Sequence, residues 1–175
     1  MHPSALARGP RRMTPGMSRI ALTLIAAAAL AAALAPTASA GPRLSGSERA
    51  LVGALNDVRA QQGLARLKAS APLSRAADAH TQDMLARDFF DHASSDGTSF
   101  DARIRHYSSA SLLGETLAMT SRRSGGAAAI VQMWMNSPPH RAIMLDGRFR
   151  KVGVGRRWGT INGDGYSVVT ADFAR

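Results

Sequence analysis

The sequence predicts an α+β domain with a small antiparallel sheet, and three observations carry that expectation. Apolar residues recur at helical spacing through much of the chain up to residue 145. A β-like tail follows, Lys151–Trp158 and Tyr166–Phe173, joined across Asn162-Gly163-Asp164-Gly165. Helices therefore come first and a hairpin last, within 175 residues that show no internal repeat and suit one domain of ordinary size.

The first forty residues do not belong to that domain. Arg8, Arg11, Arg12 and Arg19 form a basic region, and an apolar run from Ile20 to Ala35 ends at Pro36. Ala38-Ser39-Ala40 then supplies the small-x-small pattern of a signal-peptidase site. A retained membrane anchor is the alternative. The run of about 16 residues, mostly Ala, is at or below the ~17–25 needed to cross a bilayer, so cleavage before Gly41 is expected. Residues 1–40 are read as a signal peptide, 41–49 as a lead-in and 50–175 as the domain.

Ser45-Gly-Ser-Glu48 is a capping-box sequence that opens the first helix. Leu51, Val52, Leu55 and Val58 share one face of it, and Gly63 stops it after about Gln62. A short extended link, Leu64–Lys68, leads to a second helix from Pro72 to about Asp88. Its apolar stripe is Leu73, Ala76, Ala77, His80 and Met84. Phe89–Ser99, rich in Ser, Asp and Gly, is a loop that carries His92. A short helix, Phe100–Tyr107, and a turn precede Leu112–Met119, where Glu115 sits among apolar neighbours. After the polar Ser121–Gly126, a helix from Ala127 to Asn136 buries Ile130, Val131 and Trp134. Pro138 and Pro139 end it, and His140 opens a further turn to Leu145. The closing hairpin has a loop longer than two residues.

Composition narrows the function classes. There is no cysteine, which excludes disulfides and a lipidated-cysteine anchor; about 135 residues can bury a core without such staples. Lys+Arg number 22 against 12 Asp+Glu, a formal charge of +10, and removing residues 1–40 takes four arginines and no acids, leaving +6. Arg122-Arg123, Arg148 with Arg150-Lys151, and Arg156-Arg157 would attract the phospholipid or cell-wall polymer of an anionic cell envelope, or nucleic acid, non-specifically, although with only two lysines the arginine richness fits plain compositional bias better. Specific nucleic-acid binding is not expected, because no aromatic residues interleave with these pairs and the chain is exported.

Four ordered motifs go further. Phe89-Phe90-Asp91-His92, Gly114-Glu115-Thr116, Trp134-x-x-Ser137-Pro138-x-His140-Arg141 and Val152-Gly153-Val154-Gly155 together resemble the CAP superfamily. This is the family of cysteine-rich secretory proteins, antigen 5 and pathogenesis-related 1 proteins, whose module is also called the SCP domain. The likeness runs from about Ala50 to Phe173 and is to the short bacterial members without cysteine. It implies a three-layer α-β-α sandwich.

The resemblance also implies a central cleft lined by two histidines and two acids, and His92, Glu115 and His140 match three of them. The second acid is unmatched: Met135, Asn136 and Ser137 occupy the positions available to it. Asp146 is an acid nearby in sequence, with no pattern placing it in the cleft. Thr116 replaces the usual Asn.

Two imidazoles and one carboxylate are a reasonable ligand set for Zn2+ or another divalent cation, with a position left for water. Such binding would weaken as pH falls through about 6.5. The alternative is that Glu115 caps a backbone turn and the histidines hold structural waters. His80 reads as a buried, hydrogen-bonded histidine and not a ligand. His106 has no supporting pattern.

No cysteine or Gly-x-Ser-x-Gly elbow supplies an activated nucleophile, and Ser94, Ser95 and Ser99 are turn residues. A metal-activated water is the only chemistry the residues would support, so a binding role is expected over catalysis. Trp134 with Met133 and Met135 admits a lipid pocket, core packing being the simpler reading for Trp134. The expectation is thus a monomeric binding module, secreted or held in a periplasm or wall. Its ligand would be a small molecule, lipid or envelope component, and the competing class is a metal-dependent hydrolase using the same cleft.

Overall fold

The computed structural model describes residues 44–121 and 125–175; the expected signal peptide and the pair Arg122-Arg123 lie outside them. In chain order the elements are α1 (Gly46–Gln61), β1 (Lys68–Ala69), α2 (Ala71–Ala86), α3 (Phe100–Tyr107), β2 (Leu113–Thr120), α4 (Ala127–Asn136), α5 (Pro138–Met144), β3 (Lys151–Ile161) and β4 (Asp164–Ala174). The strands form one sheet in the order β1-β3-β4-β2. Neighbours run antiparallel except for the two-residue β1, which lies parallel to β3, so the sheet is mixed. No described helix is long and apolar enough to cross a membrane.

Strand alternation builds the layers. Val152 and Val154 of β3, Val169, Ala171 and Phe173 of β4 and Ala118 of β2 point to one side. There they pack with Leu51 and Leu55 of α1, Ile130 and Trp134 of α4 and Met144 of α5. Leu117, Val168 and Ala174 point to the other side, against Leu73, Ala76 and Met84 of α2 and Ile104 of α3. Both sheet faces are covered by helices, which is the expected α-β-α sandwich.

Helix α2 lies unusually close to the sheet. A Cβ on Gly153 would stand 2.1 Å from the backbone of Leu73 and Ser74, and one on Gly155 2.5 Å from that of Asp78. The glycines of Val-Gly-Val-Gly are therefore a seat for a helix, with the valines facing the opposite core.

The Ser45–Glu48 capping box forms as expected. Two details differ from the sequence reading. The hairpin loop is only Asn162-Gly163, since Ile161 pairs with Asp164. Both loop residues have positive φ (52° and 83°), the condition of a type I′ turn, so the strands extend further than their apolar runs suggest. Pro138 and Pro139 do not simply end α4. They occupy the first turn of α5, where a missing N–H costs nothing, and Ser137 caps both helices.

Candidate functional site

The loop after α2 is tied down from both sides. Asp83 of α2 accepts hydrogen bonds from the Ser95 backbone N–H at 2.9 Å and its hydroxyl at 2.8 Å. From α3, Arg103 Nη1 donates to the His92 carbonyl at 3.1 Å and to Ser94 Oγ at 3.0 Å. These bonds set His92 over β2. There its Nδ1 donates to Glu115 Oε1 at 2.8 Å, with the imidazole half exposed and the carboxylate buried. Arg103 Nη2 pairs with the other oxygen, Glu115 Oε2. The hydrogen bond to Glu115 is the main cause raising the His92 pKa above its ordinary value, against the opposing effect of burial.

His140 comes from α5. Burial, and then the charge of His92, lower its pKa. No hydrogen bond joins His140 to His92 or Glu115 among the described residues. Of the three residues named from the sequence, His92 and Glu115 form a tight pair.

Two residues that the sequence reading did not place complete the cluster. One is Arg103, 8% exposed. The other is Asp172 of β4, which the register sets directly opposite Glu115 and which is 0% exposed. Neither oxygen of Asp172 has a hydrogen-bond partner among the described residues. Burial first, and then the adjacent Glu115, raise its pKa well above the usual carboxyl value, with Arg103 opposing. Asp172 therefore holds its proton to higher pH than an ordinary carboxyl group. A second carboxyl group does lie beside Glu115, supplied by the last strand and not by the helix after Trp134. Its signal was the alternation in Thr170-Ala-Asp-Phe173 opposite a strand whose own alternate positions are Gly153 and Gly155.

Asp146 is not in the cleft. Its carboxylate is held by Arg148, with Nε at 3.0 and 3.1 Å and Nη2 at 2.6 Å. His80 is buried as expected, its Nε2 bonded to the Asp91 carbonyl at 2.8 Å. Burial, followed by the charge of Arg103, lowers its pKa. Trp134 is core, and its indole N–H donates to the Leu117 carbonyl at 2.7 Å. Met133 instead faces out, 40% exposed, as does Phe90 at 39%. Between them, Leu117, Met119 and Trp134 line a groove of about 290 Å³ that reaches His140.

Among the described residues, the basic pair Arg156-Arg157 is engaged within the chain. Arg157 makes two 2.8 Å bonds to Asp78, and Arg156 Nε donates to Ser167 Oγ at 2.9 Å.

The donor set does not fit a bound divalent metal as it stands. Both oxygens of Glu115 are already committed, one to an imidazole and one to a guanidinium. Among the described residues no group of three or more His, Cys, Asp or Glu side chains is placed to hold a metal ion.

Comparison with known proteins agrees with the fold and the motifs. The sequence model of the cysteine-rich secretory protein family, CAP, matches residues 52–173, and the chain belongs to that family. Three similar proteins come from bacteria. The uncharacterized protein YkwD of Bacillus subtilis (strain 168) is 35% identical over 120 residues, 68% of this chain and 46% of YkwD. An extracellular protein containing an SCP domain, from Bacillus anthracis str. Ames, superposes with a TM-score of 0.62 at 25% identity, covering 74% of this chain and 40% of that one. An outer surface protein of Borrelia burgdorferi gives 0.61 at 21% identity, covering 77% of this chain and 98% of that one. This chain therefore spans less than half the length of YkwD and of the Bacillus anthracis protein.

Proposed function

We propose that this CAP domain is a binding module acting outside the cytoplasm, and that its cleft seats a small amphiphile such as a lipid or envelope component. The polar end would lie at His92 and His140, and the apolar part in the groove between Phe90 and Met133. The supporting observation is that groove. It is lined mainly by apolar side chains, has two large hydrophobic residues left exposed at its rim, and ends at a histidine. Thioethers and an aromatic ring adapt well to an alkyl chain, and a volume of about 290 Å³ suits a short one. The extracellular and outer-surface descriptions of two similar proteins support the location.

A metal-dependent hydrolase built on His92, Glu115 and His140 is the competing reading. It would need Glu115 to let go of Arg103 before a metal could enter.

Fluorescence titration with a dansyl-labelled short-chain fatty acid tests the proposal. Saturable binding is expected, displaced by the unlabelled acid, weakened in His140→Ala and abolished in Met133→Asp. Equal binding by wild type and Met133→Asp, or none by either, would sink it.

A further inference from the structure

Glu115 is 2% exposed and lies among buried neighbours on the sheet face covered by α2 and α3. A carboxylate so placed must be compensated, because leaving water costs an isolated ion several kcal/mol on the order of magnitude. In a cleft that binds a divalent ion, the ion does this. Here the compensation is covalent to the chain: Arg103 reaches in from α3, is itself buried, and sets Nη2 against Glu115 Oε2.

The same guanidinium performs the second task expected of a bound ion, which is to gather separate segments. Its Nη1 holds the His92 carbonyl and Ser94 Oγ, so one cation links α3, the loop and β2. Arginine suits the position, since it stays charged when buried and its planar fork can serve several acceptors at once. Its Nε has no partner among the described residues, and neither oxygen of Asp172 has one.

We propose that Arg103 is the resident cation of this cleft, filling at Glu115 the place a divalent metal would otherwise take, so that the domain works without a bound metal. The guanidinium faces Glu115 Oε2 directly, while Asp172 lies opposite Glu115 on the next strand. Removing the guanidinium would free Glu115 Oε2 beside His92 and leave two carboxyl groups with no cation. That donor set would then recruit Zn2+. This inference does not depend on which amphiphile, if any, occupies the groove.

Calorimetric titration of Zn2+ at neutral pH into the purified protein, Arg103→Met and Arg103→Met/His92→Gln tests it, with folding followed by circular dichroism. No one-to-one site is expected in wild type. A one-to-one site should appear in Arg103→Met, which keeps an apolar stem of similar length, and disappear in the double variant. A folded Arg103→Met that gains no zinc site would overturn the proposal. His92→Gln alone provides a check that does not require Arg103 to be replaced, because the imidazole it removes is half exposed. One-to-one zinc binding by wild type that is lost in His92→Gln would overturn the proposal outright.

Discussion

Glu115 and Asp172 stand opposite each other on β2 and β4, two carboxyl groups side by side on the sheet face beneath α2 and α3. Their surroundings differ. Glu115 is bonded to His92 and Arg103, whereas Asp172 has no hydrogen-bond partner among the described residues and a pKa raised by burial and by Glu115. Burial, more than the neighbouring charge, raises the Asp172 pKa.

That shift makes stability depend on pH. A raised folded pKa means that the folded protein keeps a proton on Asp172 that the unfolded chain releases above the ordinary value of 3.8. Asp172 therefore contributes a stability that is fully present below that value and is lost as pH climbs toward its folded pKa. Asp172→Asn removes the slope, so the variant should gain on wild type as pH rises above 3.8, with the gap closing in more acid solution. Urea unfolding across that range measures the difference. A gap that stays constant with pH would contradict the assignment.

His92 should titrate above its ordinary 6.5 because the Glu115 carboxylate stabilises the imidazolium. The stability it contributes is fully present below 6.5 and fades as pH rises through the raised value. NMR titration of the ring protons should show this pKa drop in Glu115→Gln, and an unchanged value would refute the coupling. The same substitution breaks the pair that compensates buried Arg103, at a cost of about 3–5 kcal/mol.

Glycine replacements should have opposite signs in two places. Gly153→Ala places a methyl group 2.1 Å from the α2 backbone, which cannot rotate away, and should cost at least the upper end of about 1–3 kcal/mol. Gly53→Ala, within α1 and with nothing inside 4 Å of the added Cβ, should stabilise by about 0.5–1 kcal/mol. Thermal melts of both would decide; equal effects would mean that α2 does not rest on β3 as described.

Much of this architecture was legible in the sequence. The capping box and the helical stripes followed from the residue pattern, whereas a shared cleft for His92, Glu115 and His140 was only what the family resemblance implied. What escaped was the other half of the polar cluster. Arg103 lies in a short amphipathic segment, Phe-Asp-Ala-Arg-Ile-Arg-His-Tyr, where an arginine reads as solvent-facing. Asp172 alternates with Ala171 and Phe173, and alternation ordinarily marks an exposed face. Here both faces are covered, so its other half is buried too. Asn162-Gly163 fixes a two-residue turn, yet the more open wording of Asn-Gly-Asp-Gly hid it.

The strand order has a consequence for how the chain is made. β4 lies between β3 and β2, and β2 pairs with no other strand. A nascent chain emerging N-terminus first would carry β2 unpartnered through the synthesis of some forty further residues, on the order of several seconds at ribosomal speed. Only then does the strand bearing Asp172 arrive and let the sheet close. The acid that finishes the cluster is thus carried by the segment that finishes folding, and neither the two-sided core nor the Glu115 environment exists on a ribosome-bound fragment that stops short of β4.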